Sequence, residues 1–276
     1  MVRTGGSGPP FAVFAHVRDN GPMDAICDDL VLEHDSLDEI VARLDEAQWD
    51  LGTPADGWSV RDQISHLWFF DQRALMAITD ADAFAADMAQ LFSAGLDQSV
   101  VPGRSMRAAE LLDAWRHDRE RLLAAARSLD PSTRVPWYGP AMGARSFVTA
   151  RLMETWAHGQ DVVDAVGAER APTDRLRHVA HIGVSARPFS YRIRRLEPPA
   201  AAVQVSLRAP GGEQWTWGES SDHLVRGDAL EFCWVVTQRR HLDDTSLQIE
   251  GDAAREWMSI AQAFAGTPGP GRAPLG

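Results

Sequence analysis

A glutamate and a histidine stand four residues apart in the stretch R-L-M-E-T-W-A-H-G-Q-D, and a second histidine lies far upstream. Residues at this spacing share one face of a helix, so Glu154 and His158 could grip one metal ion together. His66, in the stretch G-W-S-V-R-D-Q-I-S-H-L, could supply a third ligand from another helix. Two histidines and one carboxylate with an open position are typical of a catalytic zinc centre.

The same residues also have ordinary explanations. An E-x-x-x-H pair arises by chance on many long helices, and His66 stands between apolar neighbours, as a core histidine with a satisfied hydrogen bond would. Periodicity does not choose between these interpretations. The ligand types also leave the metal open, because two histidines and a carboxylate suit iron, manganese, cobalt or nickel as well as zinc.

Apolar residues recur at helical spacing through most of the first two hundred positions. This pattern predicts helices over 23–48, 60–79, 81–96, 105–129 and 145–166. Ser59 is a suitable N-cap for the helix that carries His66, and Gly167 is expected to end the helix that carries the Glu–His pair. Long helices joined by short breaks indicate an up-and-down bundle, with Trp137 and Tyr138 in a loop at one mouth.

The pattern of apolar residues changes from helical spacing to alternation after Pro198 and Pro199. The segment 174–196 reads as one more helix, disturbed by Pro188; beyond it, alternating residues around P-G-G-E predict a β-hairpin. A strand over 246–250 and helices near 229–240 and 253–265 complete the pattern. The predicted fold class is therefore mainly α, a four-helix bundle followed by a smaller α+β domain.

Four segments follow from this organisation. We expect a disordered leader over 1–22, a metal-binding helical bundle over 23–199, an α+β domain over 200–266 and a Gly/Pro-rich flexible tail over 267–276. Whether the natural start is Met1 or Met23 stays open.

The net charge and the cysteine content limit the molecules that the protein is expected to bind and the compartment in which it is expected. The 276 residues contain 39 acidic and 27 basic side chains, a net charge of -12, which argues against nucleic acids and anionic membranes as partners. Two cysteines, Cys27 and Cys233, form no C-x-x-C motif and no disulfide framework, so a reducing cytoplasm is the expected location. We expect a small-molecule substrate; the sequence leaves the oligomeric state open.

The segments G-W-S-V-R-D-Q-I-S-H-L and E-T-W-A-H-G-Q-D-V resemble the two signature segments of the DinB-like metalloprotein superfamily. More closely, they are similar to the mycothiol-dependent maleylpyruvate isomerase branch, and W-T-W-G with V-T-Q-R-R-H resembles an actinobacterial subgroup of it. The resemblance covers nearly all of the chain after Met23. It implies a metal-binding helical bundle followed by a smaller domain similar to sterol carrier proteins.

The resemblance also implies roles for individual residues. The metal ligands of the family fall on His66, Glu154 and His158, with none substituted, and would hold a divalent metal, zinc in the first place. An arginine of the second domain that faces the metal falls on Arg239, with Arg240 as the alternative; both could instead be solvated arginines at a helix end. Mycothiol, a low-molecular-weight thiol, is the implied cosubstrate.

Five further side chains are candidates for contact with a ligand or with the metal-binding residues. Gln63 could face the site or solvent, and Asp161 could support a metal ligand or cap the helix. His34 could line the pocket or serve the core. Trp137 and Tyr138 could close over a ligand or pack the loop.

We therefore expect the protein to be a metal-dependent enzyme of small-molecule metabolism, most simply a mycothiol-dependent isomerase or S-transferase. Metal coordination lowers the pKa of a bound thiol or water and could activate it at neutral pH. Two alternatives remain at this stage. One is a thiol-independent hydrolase, lyase or cyclase of a specialised pathway, and the other is a non-catalytic ligand-binding protein that retains the metal site.

Overall fold

The computed structural model describes residues 22–94, 96–139 and 141–275, so the leader expected over 1–22 lies almost entirely outside the described residues. The first part of the chain is helical. Its helices are α1 (Met23–Val41), α2 (Glu46–Trp49), α3 (Val60–Thr79), α4 (Ala81–Ala94), α5 (Val101–Arg104), α6 (Ala108–Arg127) and α7 (Ala144–Val166). The long helices α1, α3, α6 and α7 pack on one another as a four-helix bundle, as predicted.

The start of α3 is fixed by the predicted N-cap. The Ser59 hydroxyl accepts a hydrogen bond from the backbone N–H of Asp62, and the Asp62 carboxylate accepts one from the N–H of Ser59 at 3.0 Å. This reciprocal capping box satisfies donors that the first turn leaves free. Arg104, at the end of α5, donates to the same carboxylate at 2.7 Å. The position of His66 along α3 is set by this anchored first turn.

The first helix is shorter than predicted. It ends at Val41 rather than near Gln48, and α2 forms a separate turn after Asp45. The Asp45 carboxylate accepts a hydrogen bond from the N–H of Gln48 at 2.9 Å, and the side-chain carbonyl oxygen of Gln48 accepts one from the N–H of Asp45 at 3.0 Å. This local capping competes with continuation of α1, which explains the early end.

Two strands of two residues each, β1 (Arg134–Val135) and β2 (Met142–Gly143), pair in the loop before α7. The segment expected as one helix over 174–196 is instead two helices, α8 (Leu176–Ser185) and α9 (Arg187–Arg192). Pro188 lies in the first turn of α9, where its missing N–H costs nothing, whereas it would break a continuous helix.

The last part of the chain is a small α+β unit. Its elements are β3 (Gln204–Arg208), β4 (Gln214–Trp217), β5 (Leu224–Asp228), α10 (Ala229–Val236), β6 (Gln248–Glu250) and α11 (Asp252–Ile260). The strand order is β4-β3-β5-β6. The predicted hairpin forms, with Val205 opposite Trp217 and Leu207 opposite Trp215. Strand β5 was not predicted; it pairs in parallel with β3.

One hydrophobic core runs from the bundle into the α+β unit. Residues of α7 such as Phe147 and Met153 belong to the same buried cluster as Phe232 of α10 and Trp257 of α11. The architecture is thus mainly α with a smaller mixed part, while the segment boundaries at 199 and 266 stay predictions. A helix long and apolar enough to cross a bilayer is not found within the described ranges.

Candidate metal centre

The three predicted metal ligands lie together where α3 meets α7. The candidate ligand atoms of His66, Glu154 and His158 all lie within 4.8 Å of one another, and within the described part of the chain this is the one such cluster of three found. The Nε2 atom of His158 is 3.3 Å from the Glu154 carboxylate, and the two imidazole centroids are 4.4 Å apart. These side chains are mostly shielded from solvent; 12% of the His158 side chain and 21% of that of Glu154 are exposed.

Each histidine of this trio has its second ring nitrogen engaged. The Nδ1 atom of His66 lies 2.9 Å from the Ser99 hydroxyl, and the Nδ1 atom of His158 lies 2.6 Å from Oε1 of Gln63. The Nε2 atoms are therefore the ones available to a metal. A ligating histidine usually donates its other N–H to an acceptor, which fixes the orientation of the ring.

A chain of hydrogen bonds assigns the tautomer of His158. The Thr53 hydroxyl donates to the carbonyl of Trp58 at 2.9 Å, so it accepts from the Gln63 amide, also at 2.9 Å. The Gln63 carbonyl oxygen then faces His158 and can only accept. His158 accordingly carries its proton on Nδ1 and presents a lone pair on Nε2, while the Trp58 ring stacks on it at 16° between planes.

The surroundings of His66 and Glu154 favour the unprotonated forms of these two side chains. Burial lowers the pKa of His66 well below its ordinary value, and the neighbouring side chains of His158, Arg151 and Arg239 lower it further. For Glu154, burial alone would raise the pKa, but the His158 side chain beside it and the positive charges of Arg151 and Arg239 bring the pKa below its usual value. Neutral imidazole and ionised carboxylate are the forms that bind metal, so the donor set fits a divalent cation.

The two candidate arginines have different partners. Arg239 donates to the Asp161 carboxylate at 2.8 Å and to the carbonyl of Thr237 at 2.7 Å, and its buried Nε has no hydrogen-bond partner among the described residues. Arg240 places both terminal nitrogens on the Asp164 carboxylate, at 2.6 and 2.7 Å. Asp161 thus contacts Arg239, and of the two candidate arginines Arg239 is the one whose charge acts on His66 and Glu154.

Trp137 and Tyr138 form an aromatic wall that is separated from His66 by the ring of Phe70. The Phe70 ring lies 4.7 Å from the His66 ring and 5.7 Å from that of Tyr138. Trp137 stacks on Phe84 at 5.6 Å with the planes 3° apart. The loop aromatics therefore pack against Phe70, and Phe70 is the aromatic residue of this wall that touches a metal-binding candidate.

His34 belongs to a different polar cluster. It is 1% exposed on α1, with its ring edge-on to Trp115 and its Nε2 atom 4.0 Å from the Asp71 carboxylate. Burial and the charges of Arg119 and Arg151 hold its pKa well below the ordinary value. The structure groups His34 with Asp71 and Arg151 rather than with the trio.

Sequence reasoning did not single out Thr53, Ser99, Trp58 or Arg151. Thr53 and Trp58 lie between α2 and α3, and of the two only Trp58 falls within a signature segment. Ser99 lies in a 3₁₀ turn (Leu96–Ser99) that has no motif of its own. Arg151 stands three residues before Glu154, on the same face of the helix, and this spacing is the sequence signal that could have identified it.

The chain matches known proteins over most of its length. The family model of the mycothiol maleylpyruvate isomerase N-terminal domain matches residues 30–163. An uncharacterised protein of Mycobacterium tuberculosis, found in strains CDC 1551 and H37Rv, is 45% identical over 260 residues, which is 93% of this chain and 100% of that protein.

Solved structures show the same fold. The crystal structure of the mycothiol-dependent maleylpyruvate isomerase aligns with a TM-score of 0.54 and 16% identity, covering 80% of this chain and 90% of that one. A histidine-to-alanine mutant of that enzyme aligns with a TM-score of 0.56, covering 83% and 94%. With the bundle, the smaller α+β unit and the family match in agreement, the chain belongs to the mycothiol maleylpyruvate isomerase N-terminal domain family.

Proposed function

We propose that this protein is a metal-dependent enzyme of small-molecule metabolism that uses mycothiol, acting as an isomerase or S-transferase. The observation that carries the proposal is the convergence of one nitrogen from each histidine and one carboxylate oxygen within 4.8 Å, while the Nδ1 atom of each histidine is engaged by a neighbouring side chain. Three protein ligands leave a position for a ligand, which is the mark of a catalytic rather than a structural site.

In this proposal His66, Glu154 and His158 hold the metal, with zinc as the first choice. A bound divalent ion would supply a lowered pKa for a coordinated thiol or water, making a nucleophile available at neutral pH. Arg239 would bind an anionic group of the substrate or cosubstrate through its unpartnered Nε, because a guanidinium recognises carboxylates through several N–H donors.

The remaining candidates would support these residues. Gln63 orients His158, Asp161 holds Arg239, and the wall of Trp137 and Tyr138 excludes water from one side through Phe70. A cytoplasmic location is part of the proposal and is supported by Cys27 and Cys233, which are both buried and free.

Elemental analysis of protein purified without a metal-binding tag tests the metal centre. Wild type is expected to carry about one divalent metal per chain, and His66→Ala and His158→Ala are expected to lose it. His241→Ala is the matched control and should keep the metal, since the Nδ1 atom of that histidine accepts a hydrogen bond from the N–H of Asp243 in a short 3₁₀ turn. A wild type free of metal after reconstitution would overturn the proposal.

Calorimetric titration of the metal-loaded protein with mycothiol tests the thiol. Binding that depends on the metal supports an isomerase or S-transferase. Metal without mycothiol binding would instead point to a thiol-independent metalloenzyme.

A further inference from the structure

We propose that Arg272, far from the trio in sequence, is a positioning residue that fixes Arg239 beside the metal centre by holding the far side of Asp161. The inference rests on the proposed function for its catalytic consequence only. The structural link itself is a contact between residues 111 positions apart.

Residues 261–275, here called the strap, cross from α11 to α7 along the end of α10. The N–H of Ala263 donates to the carbonyl of Val236 at 2.8 Å, and the side chain of Gln238 donates to the carbonyl of Ala261 at 3.1 Å. Further along, Arg194 donates to the carbonyl of Gly269 at 3.1 Å. The strap is thus attached at successive points beside the loop that carries Arg239.

Near the C-terminal end of the strap, Arg272 contacts two carboxylates of α7. One terminal nitrogen of Arg272 donates to Oδ1 of Asp161, and the other donates to Asp164 at 3.0 Å. Arg239 uses the second oxygen of Asp161, Oδ2, at 2.8 Å. Both oxygens of a carboxylate that is only 3% exposed are therefore occupied, each by a different arginine.

Arg272 joins two carboxylates that are each paired with another arginine, Arg239 on Asp161 and Arg240 on Asp164. Asp161 and Asp164 stand three residues apart on α7, where like charges repel. Arg272 contacts both, so it offsets this repulsion and prevents the Asp161 carboxylate from turning. The strap also places Phe264 beside Arg239, with the guanidinium 5.9 Å from the ring centroid. The orientation of Arg239 thus depends on Asp161, and that of Asp161 depends on Arg272.

The test compares Arg272→Ala and Arg272→Lys with wild type, all metal-loaded. The matched control is Arg194→Ala, which loosens the strap without touching Asp161. Amide hydrogen exchange over 237–240 reports the position of Arg239, whose N–H donates to the carbonyl of Trp234 at 2.7 Å. Mycothiol affinity by calorimetry and metal content are measured on the same samples.

Arg272→Ala is expected to keep its metal, to speed exchange over 237–240 and to weaken mycothiol binding about tenfold, a typical effect of an indirect partner. Arg272→Lys should recover part of both effects, because a single ammonium restores the charge but not the bridge. Arg194→Ala should resemble wild type. Unchanged exchange in Arg272→Ala, or equal effects in Arg194→Ala, would overturn the proposal. If wild type does not bind mycothiol, the proposed function fails, while the exchange data still decide the role of Arg272.

Discussion

Arg151 of α7 donates two hydrogen bonds, at 3.1 and 2.8 Å, to one carboxylate oxygen of Asp71 on α3. Both residues are almost fully buried, and the other oxygen of Asp71 accepts from the Trp115 indole at 3.0 Å. Arg151 precedes Glu154 by three residues and Asp71 follows His66 by five, so the pair joins the two ligand-bearing helices close to the trio. This ion pair fixes how α3 and α7 lie against each other.

Removing one partner of this pair should be costly. Arg151→Leu leaves a buried, uncompensated carboxylate and is expected to lower the free energy of unfolding by about 3–5 kcal/mol. Chemical denaturation of the metal-free protein measures the change. The double variant Arg151→Leu/Asp71→Leu should be less destabilised than Arg151→Leu alone, because no buried charge is then left unpaired. A loss under about 1 kcal/mol for Arg151→Leu would show that the pair does little for the bundle.

Gln63 should control metal affinity without touching the metal. Gln63→Leu leaves the Nδ1 proton of His158 without its acceptor, and we expect the metal dissociation constant to rise about 10–100-fold. Competition with a chromophoric chelator measures it. Gln72→Leu on the same helix is the control, since Gln72 hydrogen-bonds Asp118 instead. An equal loss in both variants would mean that the effect comes from α3 as a whole.

The two neighbouring arginines should differ in function. Arg239→Lys is expected to lower kcat/KM with a mycothiol-dependent substrate about tenfold or more, because an ammonium cannot reproduce the several N–H donors of a guanidinium. Arg240→Lys should change it much less, since Arg240 binds Asp164 and, unlike Arg239, is not among the charges that lower the pKa of His66 and Glu154. Similar losses in the two variants would assign both residues to the stability of this interface.

Acid should weaken the contact between α1 and α6. Burial alone would raise the pKa of Asp38, but hydrogen bonds and charges from Arg116 and Arg119 bring it below its ordinary value. The folded pKa is then lower than the unfolded value of about 3.9, so this stabilisation is present above that pH and is lost as the pH falls through the folded pKa.

The melting temperature of the metal-free protein, followed downward from about pH 6, tests this point. Asp38→Asn should reduce the steepness of the acid-induced loss. Asp113→Asn is the control, because Asp113 is an exposed carboxylate 3.5 Å from the same Arg116. If Asp113→Asn flattened the profile as much as Asp38→Asn, the buried pair would not be its cause.

Local signals in the sequence determined the elements that carry the site. The E-x-x-x-H spacing placed Glu154 and His158 on one face of one helix, and Ser59 marked the residue at which the helix of His66 begins. Both depend on residues within one turn of each other, where backbone geometry is the same in any helix. The hairpin around P-G-G-E was predictable for the same reason. Strand β5 pairs in parallel with β3, and such a pair is not joined by a tight turn that a local sequence pattern could reveal.

Only the tertiary structure decided which side chains support the trio. Gln63 meets His158 across 95 residues, Asp161 meets Arg239 across 78, and Ser99 meets His66 across 33. Such partners depend on how helices and strap pack around a shared core, and spacing along the chain carries no record of that packing. The sequence identified candidates by residue type; the fold chose among them by bringing donors and acceptors within hydrogen-bonding distance.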